Sequence, residues 1–510
     1  MPDAPDFAAT ITAAYAVDGP AVDLGRGVLG DELHRDAVVQ APLAMLTRHG
    51  LIAGATGTGK TKTLQGLAEQ LSAAGVPVVV ADVKGDLSGL LEPGAADGPG
   101  AKRNADLGIP FEPAGFPVEL FSIGGIGPGV PIRATVSDVG PQLLAKILGA
   151  NETQESSLAL VFHYADAKGL PLLDLADLRA LLTFLDSKDG KADLEGIGGL
   201  SKQTVGVLLR NLVGLETGGG TEFFGEPQLH IADLMRTAPD GRGIISCVEL
   251  PAVQDRPKLF STVLMWMLAE LFDTLPEEGD VDKPKLVFFF DEAHLLFSDA
   301  SKAFVESVTQ TVRLIRSKGV GVFFITQSPK DIPADVLGQL GNRVQHALRA
   351  FTPDDQKALN AAVKTYPKSD FYDLEQLLQQ LGIGEAIVTI LDERGVPTPV
   401  VHSRLPGTRS LMDKASADLD ATAKASPLYA TYGARTDAES ARELLAARMA
   451  AATPAAPVAP ATPAAPAKAQ PKPDEGGVAD TIGDVLNSPQ GKQVQKEVIR
   501  GIFGMLKKQF

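Results

Sequence analysis

Eight consecutive residues near the amino end of the chain have the types and spacing of a loop that binds phosphate groups. They read Gly-Ala-Thr-Gly-Thr-Gly-Lys-Thr, which is the pattern Gly-x-x-x-x-Gly-Lys-Thr. Glycines let the backbone bend until its N–H groups point inward, the lysine reaches the β- and γ-phosphates, and the threonine hydroxyl reaches Mg²⁺. The pattern therefore predicts a site for ATP and Mg²⁺ that uses Gly54, Ala55, Thr56, Gly57, Thr58, Gly59, Lys60, Thr61 and Lys62.

Two acidic residues follow a continuously apolar run and would complete such a site. The run Leu286–Phe290 leads directly into Asp291 and Glu292, and a run this apolar suits the middle of a parallel sheet that is covered on both faces. We expect Asp291 to hold Mg²⁺ and Glu292 to deprotonate the water that attacks the γ-phosphate. His294, three residues after Asp291, fits the start of a helix better than a catalytic role.

A glutamine and two arginines follow later apolar runs. Gln327 ends the run that begins at Gly319, and its amide suits a sensor of the γ-phosphate or of the attacking water, with a turn or capping amide as the alternative. Arg343, and as second choice Arg349, is expected at the far end of the sheet from the phosphate loop. An arginine there would reach a neighbouring subunit's nucleotide, and pairing with a surface carboxylate is the alternative.

The segment Asp-Val-Lys-Gly-Asp follows another apolar run, residues 76–81. In a parallel sheet this would place Asp82, Lys84 and Asp86 at the same edge as the phosphates. We therefore count Asp82 and Asp86 among the residues expected to contact the nucleotide.

The pattern of strands and helices around these motifs predicts an α/β fold, with a P-loop nucleotide-binding core and a mainly parallel sheet. Strands are expected at 46–53, 76–82, 118–123, 132–136 and 243–250, helices at 258–275 and 302–318, and a closing hairpin at 385–403. The predicted regions are a short leader (1–45), the first part of the core (46–137), a helical insertion (138–236), the second part of the core (237–410), a helical extension (411–450), an Ala/Pro-rich disordered linker (451–475) and a basic amphipathic C-terminal helix (476–510).

Composition indicates a large soluble protein of the cytoplasm. The 510 residues are 44% hydrophobic and 22% charged, and no apolar run approaches the roughly 20 residues that a membrane-spanning helix needs. The single cysteine, Cys247, lies in an apolar run and is expected in the core. The seven histidines and this cysteine form no close-spaced zinc pattern, which leaves Mg²⁺ as the metal.

Charge does not decide between a DNA-binding protein and one that acts on other partners. The net charge of −16 argues against a surface coated in basic residues, but a basic channel lining would be compatible with it. Lysines and arginines between 302 and 318 would form either a solvated helix face or a surface toward DNA or a neighbouring subunit. The basic C-terminal helix could lie on a membrane, on DNA, or in a groove of its own or a neighbouring core; we favour the groove.

Taken together, the phosphate loop, the Asp-x-Lys-Gly-Asp segment, Phe-Asp-Glu-Ala-His, Thr-Gln-Ser-Pro and Asn-Arg resemble the HerA-type ATPases of the HerA/FtsK superfamily. The closer likeness is to bacterial HerA-like helicase C-terminal domain proteins. The resemblance implies a RecA-like core, a homo-oligomeric ring of about six subunits, ATP hydrolysis at subunit interfaces, and translocation or unwinding of DNA. Two departures are that only about fifty residues precede the loop, where archaeal relatives carry a barrel domain, and that Lys84 and Asp86 replace a His and a Glu.

Two functions from different classes fit these features. The first is an oligomeric ATP-driven motor that acts on DNA. The second is a ring ATPase that acts on protein partners or serves as a regulatory switch without DNA. A nucleotide-binding scaffold with negligible hydrolysis is a third possibility, and the intact pair Asp291 and Glu292 argues against it.

Overall fold

A 12-stranded sheet forms the centre of the molecule in the computed structural model, which describes residues 6–297 and 302–452. The strand order across the sheet is β2-β1-β12-β11-β10-β3-β9-β8-β4-β7-β5-β6. The strands are β1 Ala21–Leu29, β2 Glu32–Pro42, β3 Gly50–Ala53, β4 Val78–Asp82, β5 Val118–Ile123, β6 Val130–Ile132, β7 Ile245–Glu249, β8 Leu286–Phe290, β9 Val320–Thr326, β10 Asn342–Gln345, β11 Glu385–Thr389 and β12 Val401–Arg404.

The sheet has a parallel part and an antiparallel part. All neighbouring strands from β10 to β6 are parallel, whereas β11, β12, β1 and β2 continue the sheet in antiparallel order beyond β10. The strand before the phosphate loop, β3, lies between β10 and β9, and β8 lies next to β9. Carboxyl ends of parallel strands meet at one edge, so the residues that follow β3, β4, β8 and β9 come together there.

Helices cover both faces of the sheet. They are α1 Phe7–Ala14, α2 Lys60–Ala73, α3 Pro99–Leu107, α4 Val136–Ile147, α5 Glu152–Lys168, α6 Leu175–Asp186, α7 Lys188–Asp193, α8 Lys202–Leu215, α9 Thr221–Phe223, α10 Pro257–Thr274, α11 His294–Phe297, α12 Lys302–Ile315, α13 Ala334–Leu337, α14 Pro353–Val363, α15 Leu374–Gln380, α16 Leu419–Lys424, α17 Tyr429–Tyr432 and α18 Ala441–Ala452. Short 3₁₀ segments lie at Leu43–Arg48, Ser88–Leu91, Ile231–Met235, Pro251–Val253, Arg316–Lys318 and Pro329–Asp331. Within the described ranges, none of these helices has the length and apolar character to cross a membrane.

Alternate side chains of the central strands enter two separate cores. Phe288 and Phe290 of β8 pack with the helices between 136 and 275, whereas Val287 and Phe289 pack on the opposite face with α1 and α2. All four side chains are fully buried. This explains why β8 reads as a continuous apolar run, since strands covered on both faces have no solvent side.

The central elements lie close to where the sequence predicts them, with shifts at two strand ends. β3 begins at Gly50 rather than at residue 46, because Leu43–Arg48 forms a 3₁₀ helix. The strand expected at 132–136 is instead β6 at Val130–Ile132, because Thr135 accepts a hydrogen bond from the Asp138 N–H and so caps α4.

The first 45 residues contribute two strands to the sheet. The sequence predicts only a short leader for this segment. β1 pairs with β12 and β2 pairs with β1, and the Tyr15 hydroxyl contacts the carbonyl oxygens of Val388 and Pro399 at 3.0 and 2.7 Å. The chain between 136 and 223 contains α4–α9, and the chain between 419 and 452 contains α16–α18. Beyond residue 452, the predicted linker and C-terminal helix lie outside the described residues.

Candidate functional site

The phosphate-binding pattern forms a loop between β3 and α2. Gly54, Gly57 and Gly59 have φ values of 154°, 78° and 114°, which residues with a Cβ rarely adopt. Gly59 lies immediately before the first residue of α2, Lys60. The amino end of a 14-residue helix therefore faces the inside of the loop, where its free N–H groups and dipole favour an anion.

Backbone contacts from three directions hold this loop. Its Gly54 and Ala55 N–H groups donate to the carbonyl oxygens of Thr326 and Ala347 at 3.2 and 2.8 Å, and the Gly384 N–H donates to the Thr58 oxygen at 3.0 Å. The strand neighbours on both sides and the turn before β11 thus fix its position.

A buried histidine, which no motif indicates, supports the loop from below. His346 Nε2 lies 2.9 Å from Thr63 Oγ1, and a Cβ on Gly54 would come within 2.5 Å of the His346 Cβ. Burial, assisted by the charge of Lys60, lowers the pKa of His346 to about 4. The ring is therefore neutral at pH 7 and adds no charge beneath the phosphate loop.

The side chains of the loop are positioned differently from one another. Lys60 is 7% exposed and its Nζ donates to the Ala55 oxygen at 3.1 Å, so the ammonium group is folded over the loop. Thr58 Oγ1 donates to the same oxygen at 2.8 Å. Thr61 is the second residue of α2. The Lys62 Nζ instead donates to Gln65 Oε1 at 2.9 Å, along the helix.

Asp291 lies directly after β8 at the same sheet edge and has an oxygen available for a cation. The residue is 2% exposed, Oδ1 accepts from the Glu292 N–H at 2.9 Å, and the buried Oδ2 has no hydrogen-bond partner. Burial, and then the neighbouring charge of Glu292, raises the pKa of Asp291 to about 7. Carboxylate and hydroxyl oxygens are ligands that Mg²⁺ takes, so an unpartnered carboxylate oxygen at Asp291, whose charge acts on Lys60 of the phosphate loop, fits that ion.

Glu292 is held in an unusual conformation by its own backbone and by a lysine. Its φ of 48° is one of two positive values among the described non-glycine residues. Its Oε1 lies 2.5 Å from Lys84 Nζ, and its Oε2 lies 3.3 Å from His294 Nδ1. Burial alone would raise the pKa of Glu292, but the hydrogen bond and charge of Lys84 outweigh it, so the pKa is lowered and the carboxylate stays ionised.

Gln327 follows β9, the strand between β3 and β8, and its side chain is exposed. It lines a cavity of about 290 Å³ together with Ala55, Thr56 and Arg349. The neighbouring Thr326 and Ser328 are tied to Asp331 through hydrogen bonds of 2.9 and 3.0 Å, so the position of Gln327 beside the loop is fixed.

The two arginines lie toward opposite ends of the same strand, β10. Arg343 of β10 pairs with Leu51 of β3, which lies about 10 Å along the strand before the loop. The Arg343 Nη1 donates to Thr365 Oγ1 at 2.6 Å. Arg349 follows β10, lines the cavity beside its own loop, and donates from Nη1 to the Gln379 oxygen at 3.0 Å. Arg343 thus lies away from the phosphate loop and Arg349 lies beside it, and the action of either arginine on a neighbouring subunit's nucleotide stays a prediction.

Of the two aspartates in the Asp-x-Lys-Gly-Asp segment, Asp82 serves its own turn. It is fully buried and accepts from the N–H groups of Lys84, Gly85 and Leu87 at 3.1, 2.7 and 2.8 Å. Both oxygens accept hydrogen bonds within the turn, and a contact between Asp82 and the nucleotide stays a prediction. Asp86 keeps a buried Oδ1 without a hydrogen-bond partner, and its role stays a prediction.

Known proteins are similar to this chain in sequence or in fold. The family described as Helicase HerA-like C-terminal matches residues 29–509. A probable helicase of Methanocaldococcus jannaschii is 32% identical over 130 residues, which are 25% of this chain and 23% of that protein. The match therefore spans about a quarter of that relative.

Among solved structures, the plasmid coupling protein TrwB with a non-hydrolysable ATP analogue has a TM-score of 0.52 and 14% identity, covering 80% of this chain and 95% of that chain. TrwB with ADP and Mg²⁺ has a TM-score of 0.51 and 15% identity, covering 80% and 94%. At such identities the likeness shows the fold, which is that of RecA-like P-loop proteins. Because the family match covers most of the length, the chain belongs to the helicase HerA-like C-terminal family.

Proposed function

We propose that this chain is the subunit of a homo-oligomeric, ring-forming motor that hydrolyses ATP with Mg²⁺ and acts on DNA by translocating or unwinding it. The observation that carries the proposal is the meeting, at one sheet edge, of the phosphate loop, the buried Asp291 with its unpartnered Oδ2, and Glu292. Family membership supports the same conclusion.

The residues divide the chemistry among themselves. Lys60 and the N–H groups at the start of α2 would bind the β- and γ-phosphates, while Thr61 and Asp291 would hold Mg²⁺, which neutralises phosphate charge. Glu292 would take a proton from the attacking water while the oxygen of that water forms a bond to the γ-phosphorus. The bond between the γ-phosphorus and the oxygen that bridges to the β-phosphate would break, and ADP would leave. Gln327 would orient the attacking water.

Two exposed apolar side chains near the loop support assembly into an oligomer. Phe351, two residues after Arg349, is 87% exposed, and Ile383 is 73% exposed. Ile383 directly precedes Gly384, whose N–H is bonded to the loop at Thr58. Large apolar groups at such a position suit a surface that a neighbouring subunit covers, and we propose a ring of six.

A ring ATPase that acts on proteins, or switches a partner without DNA, is the second candidate. The net charge of −16 is compatible with this candidate but does not decide between the two, because a basic channel lining could still bind DNA.

DNA-dependent ATP turnover separates the two candidates. The steady-state hydrolysis rate of the full chain is measured without DNA and with single- and double-stranded DNA, with Glu292→Gln as the blank. Stimulation by DNA is expected for the motor. A measurable rate that is indifferent to both kinds of DNA would overturn the DNA assignment and leave the protein-directed ATPase.

A further inference from the structure

Lys84 lies on a turn whose backbone is tightly held. The turn follows β4, where the Asp82 carboxylate accepts from the N–H groups of Lys84 and Gly85 at 3.1 and 2.7 Å. Gly85 has a φ of 69°. The backbone of Lys84 is therefore fixed at the edge of the sheet next to β8, while its side chain is 45% exposed. A fixed backbone under a long, open side chain gives the ammonium group a limited range of positions around the site.

This ammonium group pairs with the expected catalytic base, Glu292. Lys84 Nζ lies 2.5 Å from Glu292 Oε1, and the Glu292 side chain is 7% exposed. A charge-assisted contact this short occupies the oxygen that would otherwise accept the proton of a water molecule. While the contact lasts, Glu292 is a weaker base toward water.

The charged groups around the Lys84–Glu292 pair are of the kind that would surround a terminal phosphate. Lys60, with its Nζ at 3.1 Å from the loop oxygen of Ala55, lies near enough for its charge to act on Glu292, Asp291 and Lys84. The two ammonium groups of Lys60 and Lys84 thus lie within electrostatic reach of the two carboxylates. A γ-phosphate bound there would bring more negative charge than a single carboxylate does, and so would compete for Lys84.

We propose that Lys84 is an additional catalytic residue, which pairs with Glu292 while the site is empty or holds ADP and transfers its ammonium group to the γ-phosphate of bound ATP. The transfer frees Glu292 to accept the proton of the attacking water and adds a cation where negative charge builds up. This inference rests on the proposed ATP hydrolysis at the same site.

The alternative is an ion pair that only stabilises the turn. A pair of this kind would make no contact with the γ-phosphate, which is the group by which ATP differs from ADP. Removing the pair should therefore change the affinities for the two nucleotides equally. Comparing the two affinities therefore separates a catalytic role from a structural one.

The experiment measures the binding of Mg-AMPPNP and Mg-ADP to the full chain by calorimetry, and ATP turnover in parallel. The variants are Lys84→Met, Lys84→Arg and, as a matched control, Lys102→Met, since Lys102 is an exposed lysine of α3. For Lys84→Met we expect AMPPNP binding to weaken by about tenfold or more and ADP binding to change by less than about twofold. We expect turnover to fall, partial recovery with Lys84→Arg, and no effect of Lys102→Met.

Two results would overturn the proposal for Lys84. They are an equal change in both affinities, or no change in either while turnover stays at the wild-type rate. Melting curves of all variants serve to check that each one is folded. The failure of the underlying function looks different, because the wild-type chain would then bind neither nucleotide or would bind both without turning ATP over.

Discussion

Two adjacent carboxyl groups at the end of β8 have opposite electrostatic environments. Burial, and then the charge of Glu292, raises the pKa of Asp291 to about 7. For Glu292, burial is outweighed by Lys84, so its pKa is lowered. A buried oxygen without a partner suits a divalent cation at Asp291, whereas an ionised carboxylate suits a base at Glu292.

Glu292→Gln is therefore expected to separate nucleotide binding from turnover. The amide keeps the size of the side chain but cannot take a proton, so hydrolysis should fall by about 10²–10⁴-fold while ATP still binds. Lys60→Ala should lose both, because the phosphates lose their principal cation. Filter binding and phosphate release measure the two properties, and native-rate hydrolysis by Glu292→Gln would place the base elsewhere.

Gly54→Ala tests whether the loop needs a residue without a Cβ where it passes close to His346. The new methyl group would meet the His346 Cβ at 2.5 Å, at a backbone φ of 154°. We expect ADP binding to weaken by about tenfold, because steric strain of this kind costs about 1–3 kcal/mol.

Gly214→Ala is the matched control, since Gly214 lies in α8 with nothing within 4 Å of the added methyl group. It should bind ADP normally and be equally stable or slightly more stable. If both variants bind ADP like the wild type, the close contact at Gly54 does not shape the loop.

Among the elements, those with strong local patterns are the ones that sequence reasoning places well. The phosphate loop with α2 and the apolar strands β8 and β9 lie close to where the motifs predict them. β1 and β2 were not expected, because polar residues such as Glu32 and Arg35 interrupt the apolar alternation at this antiparallel edge.

Side-chain contacts between distant segments could not be read from the sequence. The pairing of Lys84 with Glu292 joins two segments more than 200 positions apart, and no motif describes it. The side of the sheet taken by Arg349 depends on β10 ending at Gln345, a boundary that composition does not reveal.

Tyr15→Phe tests whether the amino-terminal segment is part of the folded core. The Tyr15 ring is 2% exposed, and its hydroxyl contacts the carbonyl oxygens of Val388 and Pro399. Removing the hydroxyl should lower the free energy of unfolding by about 1–3 kcal/mol, because buried carbonyls lose a donor. Urea denaturation measures the change, and an unchanged midpoint would mean that this segment does not stabilise the sheet.

In the ring that we propose, Arg343 is the arginine that we expect to act on a neighbouring subunit's nucleotide. It lies in the first half of β10, whereas its own phosphate loop follows the carboxyl end of the neighbouring β3, and its guanidinium donates to Thr365 Oγ1. Mixing Arg343→Ala subunits with Lys60→Ala subunits should therefore recover part of the ATPase activity that each variant lacks alone, since a mixed interface can combine an intact loop with an intact arginine. The rate as a function of mixing ratio is the readout, and absence of any recovery would favour action within one subunit.

Strand displacement by the moving protein tests the proposed DNA motor most directly. A labelled third strand is bound to one end of a DNA duplex, and its release is followed with the wild-type chain, with Glu292→Gln, and with AMPPNP in place of ATP. We predict release only with the wild-type chain and ATP, at a rate that rises as the ATP concentration rises. Hydrolysis of ATP by the wild-type chain on this duplex without any release of the third strand would contradict translocation along DNA.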